Sequence, residues 1–529
     1  MNAHQRDSRQ ETAPGRRHKQ RSRKDTAGKR GAATHPPVWP GLEGGRYRPL
    51  RQRDMERIHS TVMDILEKVG LSDPTPSFIE IVGAVGGWMS ADGRLCYPRG
   101  LVEDVIARAK RSFIWSGQSS AHDLEVGGQR VHMGTGGAAP LILDFNTGRY
   151  RETTLVDVYD ITRLADTLEN IHFIWRTVVA RDMPNAFDLD INTAYACMQG
   201  TSKHIGVSFV NGEHVRAAVN MFDIHLGGEG RFRKRPFCSL SCCHVVPPLR
   251  FAQPSCDALE SAVMSGMPAS LISLAQAGAT GPATLAGTIA QAMAETLAGL
   301  VFAFLIDSQC RIDLGTWTVV SDLRTGAMSA GSPELALMMA GSAQMAGFYD
   351  LPGSVAAGMS DSKLPDAQAG AEKGYTLALA AQAGSTLIHE SAGMHASLLG
   401  TAFESYVIDN DTLGAVLRTV RGIEVNDKTL AFEVIRDVAT GDGHFLGQEQ
   451  TIERMETDYV YPRLGDRSSP EEWEERGSKD IWQMARARVK EILHEHYPNH
   501  VDSEADKHIR NKFNILLPSS EMQPGNARW

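Results

Sequence analysis

Between residues 134 and 389, short apolar runs alternate with longer stretches of helical periodicity, and this alternation confines the chain to few folds. The runs, rich in Val, Ile, Phe and small residues, fall at 138–143, 172–180, 204–210, 236–241, 269–274, 317–320, 353–359 and 385–389. Helix-like stretches lie among them at 155–168, 214–224, 256–265, 285–305, 333–346 and 367–381. Parallel neighbours need crossover helices, so eight strand candidates each followed by a helix are what an α/β (β/α)8 TIM barrel requires. A doubly wound open sheet would use the same runs and is the structural alternative. No internal repeat of the solenoid kind is visible.

At roughly 150 residues per domain the length would allow about three domains. A single barrel with insertions also reaches 529 residues. A hydrophobic content of 42% with 22% charged residues excludes disorder as the main state. The seven cysteines are sparse and odd in number, which excludes a disulfide scaffold and points to reduced thiols in a cytoplasmic protein. The most membrane-like run, 286–305 (AGTIAQAMAETLAGLVFAFL), carries Gln291 and Glu295 and reads as a buried helix, so no membrane association is expected. The net charge of -9 conceals a basic start that includes Arg16, Arg17, Lys19, Arg21, Arg23, Lys24, Lys29 and Arg30. No reading helix or stacking sheet follows it, and no apolar signal region, so it reads as a disordered extension without a nucleic-acid partner. The expected organisation is a basic tail (1–45), an N-terminal helical cap (46–133), the barrel (134–500) and a C-terminal extension (501–529). Within the cap, Ile58, Val62, Ile65, Leu66 and Val69 recur at helical spacing and end at Gly70, and a second helix spans 100–109.

In such barrels the site lies at the C-terminal ends of the strands. Residues just after the runs include Asp144, Arg181, Asp182, Asn211, Glu213, His214, Gln276, Ser321, Asp322, Arg324, Asp361, Lys363, His389 and Glu390. Three segments stand out. In 134–140 (GTGGAAP) the glycines precede a strand rather than join strand to helix, which argues for a close backbone approach over a phosphate site. In 321–326 (SDLRTG), Asp322 and Arg324 suit either a substrate carboxylate and cation or a structural pair. In 360–368 (SDSKLPDAQ), Asp361 and Lys363 would lie at a strand tip, and Asp366 suits a helix N-cap. The segment 241–244 (SCCH) offers Cys242, Cys243 and His244 as zinc ligands, but no further CxxC or HxxxH completes a set of four. No GxSxG elbow is present.

Read together, GTGGAAP, 281–305 (GPATLAGTIAQAMAETLAGLVFAFL), 321–338 (SDLRTGAMSAGSPELALM), 360–373 (SDSKLPDAQAGAEK), 421–435 (RGIEVNDKTLAFEVI), 443–451 (GHFLGQEQT) and 461–467 (YPRLGDR) resemble the trimethylamine methyltransferase family, in order from about Arg48 to Pro498. The resemblance implies a (β/α)8 barrel. It also implies methyl transfer from a methylated amine to the cobalt of a corrinoid (cobalamin) on a separate corrinoid protein, with no tightly bound cofactor. The founding trimethylamine enzymes use pyrrolysine, which is not written here, and the chain is more similar to glycine betaine methyltransferase-like members. A proline-rich turn of the family near the fourth strand appears here as CHVVPPLRF.

The chemistry favours a quaternary donor independently. A tertiary amine is a poor methyl donor until activated, whereas a quaternary ammonium already carries a neutral leaving amine, so the protein need only bind, orient and dehydrate the reactants. Aromatic faces around the cation would each contribute roughly 0.5–2 kcal/mol. The expected catalytic set is Asp361, Lys363, Arg324 and Glu390. Asp322, His214, His389, Trp175, Phe209 and Trp317 are expected to bind substrate, Phe145 is a further candidate ring, and no metal ligands are expected. Arg324, His214 and His389 are candidates for a betaine carboxylate, and Asp361 or Glu390 for the ammonium. The alternatives are a zinc-dependent barrel enzyme using Cys242, Cys243 and His244, and a non-catalytic betaine-binding sensor. Self-association as a homo-oligomer is left open.

Overall fold

The computed structural model describes residues 36–441, 443–526 and 528–529. Most of the segment read as a disordered tail lies outside them. Its last residues are ordered, however: Leu42–Glu43 pairs antiparallel with Val131 and Arg130, and Trp39 packs beneath the Arg421 guanidinium at 5.4 Å. Apolar Trp39 and Leu42 tie this stretch to the barrel although basic residues precede it.

Eight parallel strands close into a barrel. They are β1 (Arg130–Thr135), β2 (Phe173–Trp175), β3 (His204–Val207), β4 (Cys238–Cys242), β5 (Ala269–Ser273), β6 (Ile312–Thr316), β7 (Gly353–Ala356) and β8 (Leu387–Ala392). Each pairs with the next, and β1 closes the ring by pairing with β8 at His132↔Leu387 and with β2 at Gly134↔Phe173. After each strand comes its helix: α1 (Leu155–Asp166), α2 (Ala186–Gly200), α3 (Gly212–His225), α4 (Gln253–Ser265), α5 (Leu285–Ile306), α6 (Pro333–Phe348), α7 (Ala367–Gln382) and α8 (Phe403–Arg421).

Six of the expected runs coincide with these strands; the runs at 138–143 and 317–320 do not. The true β1 and β6 interrupt their apolar residues with His132 and Gly134, and with Asp313 and Gly315. The displaced runs build small sheets after those strands instead. Leu141–Leu143 joins Tyr150–Glu152 and Gly400–Thr401, and Val319–Ser321 joins Gln276–Ala277 and Met328–Ser329. The first barrel strand therefore begins inside the segment expected to be cap.

The cap helices Gln52–Asp64, Pro76–Gly83 and Arg99–Arg108 pack on α5. Phe78 stacks on Phe302 with centroids 3.5 Å apart. Thus α5, long and apolar enough to cross a membrane, has 89% of its most hydrophobic window buried, between β5 and β6 on one side and the cap on the other. Residues after α8 wrap the outside: Ile481–Glu495 lies on α1 and α8, and Arg528 and Trp529 both reach the Asp160 carboxylate of α1.

A candidate active site at the barrel mouth

The upper end of β8 breaks from regular pairing. Its register against β1 shifts between Ile388 and Ala392, and Glu390 adopts φ +60°. A non-glycine residue rarely takes this left-handed conformation, which costs about 1–3 kcal/mol and clusters at functional sites. A regular strand would put His389 and Glu390 on opposite faces. Here both side chains reach the same end of the barrel, beside Trp175.

The Glu390 carboxyl is buried and rests against the loop after β1. The Gly137 amide donates to its Oε2 at 2.9 Å. A Cβ on Gly137 would lie 3.1 Å from Glu390 Oε1 and 3.1 Å from Trp175 Cδ1, and one on Gly136 would overlap Met394. The glycines of GTGGAAP thus permit a close backbone approach, as read from their position before a strand. Burial pushes the Glu390 carboxyl up to about 8, against the opposing Gly137 hydrogen bond, so with no cation nearby it holds its proton at neutral pH.

Beneath it lies a ring of aromatic side chains. The His389 ring is 4.3 Å from Trp175, 4.9 Å from Trp317 and 4.9 Å from Phe173, centroid to centroid. Both His389 nitrogens are buried without a hydrogen-bond partner, and burial lowers its pKa to about 3, leaving a neutral imidazole. The indole N–H of Trp175 donates to Ser241 Oγ at 3.2 Å, and that of Trp317 to Ser354 Oγ at 3.3 Å, so the barrel wall fixes both rings. Trp115, from the hairpin Ser112–Trp115 and Leu124–Gly127, closes the floor by stacking on His204 at 4.4 Å. Asp313, buried against Ser270 Oγ at 2.6 Å, is pushed up to about 7 by burial. Aromatic rings and hydroxyls thus take the place of much of the branched aliphatic packing usual in such barrels.

Several expected site residues sit elsewhere. Asp361 binds its surroundings completely: Ser329 Oγ donates at 2.7 Å, the Ala330 amide at 2.7 Å, and Ser397 Oγ also donates. It ties together the loops after β6, β7 and β8, with both carboxylate oxygens accepting from those loops. Lys363 is exposed, its Nζ donating to the Asp361 carbonyl at 2.7 Å. Asp322 and Arg324 form a local pair at 2.9 Å on an exposed turn, where the Arg324 side chain is 89% exposed. They line a surface cavity of about 370 Å³ that shares no residue with the Glu390 cluster. His214 sits at the start of α3 with Nδ1 2.6 Å from Asp190. Phe209 is buried in the general core, and Phe145 packs on Trp529 and Arg486, away from the His389 ring. Asp366 caps α7, as expected.

The zinc alternative fails on geometry. Cys242 is buried, whereas Cys243, just past the end of β4, is exposed. Cys242 Sγ points to the Ser255 carbonyl at 3.5 Å, and His244 Nε2 meets the Glu295 carbonyl at 2.9 Å. No cluster of metal-ligating side chains occurs among the described residues. Trp115, which the sequence left unmarked, stands in the aromatic cluster, 6.4 Å from His389. Trp115 precedes the barrel and enters it only through the tertiary fold.

The family model described as trimethylamine methyltransferase (MTTB) matches residues 16–514. A trimethylamine methyltransferase of Desulfitobacterium hafniense is 30% identical over 488 residues, covering 92% of this chain and 97% of that protein. A glycine betaine methyltransferase of the same species is 30% identical over 467 residues, covering 88% and 96%. The crystal structure of the Methanosarcina barkeri monomethylamine methyltransferase superposes with a TM-score of 0.50 at 11% identity, over 84% of this chain and 88% of that one, which shows a shared barrel fold. Matched along nearly its whole length and folded as the same kind of barrel, this chain belongs to the trimethylamine methyltransferase family and is a methyltransferase.

Proposed function

We propose that the chain transfers a methyl group from a quaternary amine of the betaine type to Co(I) of a corrinoid on a separate partner protein, as a cytoplasmic enzyme. The observation that carries this reading is the strained, buried Glu390 carboxyl beside the Trp175, His389 and Trp317 rings. A carboxyl edge next to aromatic faces suits a quaternary ammonium, which attracts both and donates no hydrogen bond. A cation seated there draws the proton off Glu390, because an adjacent positive charge favours the carboxylate.

The corrinoid, when presented, supplies the nucleophile that takes the methyl group. This chain's part is to bind the donor, orient one methyl toward the mouth and exclude water. Trp115 closes the floor, so in this reading the donor enters from the mouth. Three exposed leucines on the loops after β6, β7 and β8, Leu323, Leu364 and Leu399, give that end an apolar rim suited to a docking protein. Asp361 and Lys363 act in this reading as positioning residues for those loops.

The test is incubation of the protein with a Co(I) corrinoid protein and a panel of quaternary and tertiary methylamines while the cobalt spectrum is followed. Methyl-cobalt should appear with quaternary donors. Its absence with all of them, despite tight binding by the protein, would favour a sensor.

A further inference from the structure

We propose that the buried Lys373–Asp409 pair is a positioning clamp for Glu390: it holds the Gly393 amide, and with it the strained end of β8, so that the carboxyl stays beside the aromatic rings. This rests on the reading of the Glu390 cluster as an ammonium site.

A left-handed Glu390 persists only where its surroundings over-determine it. The register of β8 against β1 shifts between Ile388 and Ala392, so groups outside the regular ladder must hold this segment. From the loop after β1, the Gly136 amide donates to the Ala392 carbonyl at 3.0 Å and the Gly137 amide to Glu390 Oε2 at 2.9 Å. From the helix layer, Asp409 of α8 accepts the Gly393 amide on Oδ2 at 2.8 Å. Thr401 Oγ1 donates to the Gly393 carbonyl at 2.9 Å. The Tyr406 ring closes on the same residue, where a Cβ would lie 2.2 Å from its Cζ. Both backbone polar groups of Gly393 are thus taken by side chains, a few residues beyond Glu390.

Lys373 of α7 donates to the same Asp409 oxygen at 2.6 Å, and the two side chains are 3% and 4% exposed. Replacing a buried ion pair by apolar residues of similar volume is often neutral or stabilising, so stability alone gives no reason for this one. An apolar pair could not accept the Gly393 N–H. A carboxylate can, and at this depth it needs the counter-charge that Lys373 supplies. His395, within electrostatic reach of Lys373, and Tyr406, within reach of both Asp409 and Glu390, are the other titratable groups around the pair.

Two double variants separate positioning from packing. K373M/D409L removes the charges and the acceptor, whereas K373M/D409N keeps an amide oxygen for Gly393. By calorimetric titration, K373M/D409L should bind glycine betaine and choline roughly tenfold or more weakly than wild type, because the freed segment lets Glu390 leave the rings. K373M/D409N should recover most of that affinity. The rise of affinity toward pH 8 expected of wild type should flatten in K373M/D409L and return in K373M/D409N. If K373M/D409L does not fold, T401V loosens Gly393 from its carbonyl side and should weaken binding roughly threefold or more, with the same flattening. Wild-type affinity and pH profile in K373M/D409L, or in T401V where that variant stands in, would overturn the clamp alone. So would equal losses in the two double variants. Failure of wild type to bind any quaternary ammonium would bring down the ammonium site as well.

Discussion

The Gly137 amide donates a 2.9 Å hydrogen bond to Glu390 Oε2, joining the loop after the first barrel strand to the bulged end of the last one. The contact spans the seam where the barrel closes, and it holds a strained carboxyl against the Trp175 edge.

If Glu390 balances the ammonium, E390Q should weaken quaternary-amine binding on the order of tenfold to a hundredfold, since it removes one partner of a sheltered charge pair. The wild-type affinity should also rise with pH toward about 8, where the empty-site carboxyl ionises, and level off above it. Titration calorimetry across pH 6–9 checks both points, and a flat profile in wild type would contradict the assignment.

The same group makes stability depend on pH. Its folded-state pKa of about 8 lies above the ordinary 4.5, so between these values the native protein keeps a proton that the unfolded chain releases. The stabilisation is therefore complete at low pH and is lost as pH rises through about 8. Thermal melts at pH 6 and pH 9 should show a smaller drop in Tm for E390Q than for wild type.

Gly137→Ala places a Cβ at 3.1 Å from both Glu390 Oε1 and Trp175 Cδ1. Overpacking of this kind costs about 1–3 kcal/mol. The melting temperature should fall, and methyl transfer should fall further than stability alone explains, because the displaced groups are those proposed to hold the donor. Unaltered donor affinity in a folded variant would argue against a site at this loop.

Asp361 and Arg324 should separate sharply although the sequence reading placed both in the catalytic set. Asp361→Ala strips three hydrogen bonds from the loops over the mouth and should cost about 1–3 kcal/mol together with loss of activity. Arg324→Ala removes only an exposed pair with Asp322 and should leave both the melting temperature and donor affinity as they are. Denaturation curves and donor titrations of the two variants give the comparison.

By itself the sequence determined the barrel, because the order of apolar runs and amphipathic stretches leaves parallel strands few ways to close. It also identified Glu390, His389, Trp175 and Trp317 as strand-tip residues, and Asp366 as a cap. It misplaced β1 and β6, whose inward positions carry His132, Asp313 and glycines in place of the aliphatic residues that make a strand legible. Only the tertiary structure decided which mouth residues share a site. Asp361, Asp322 and His214 are of the right chemical type, but each is already bound to neighbouring loops or side chains. Trp115 joins the cluster because the cap hairpin brings it there. Hydrogen-bond saturation and burial are properties of packing across distant segments, and no local pattern of residues encodes them.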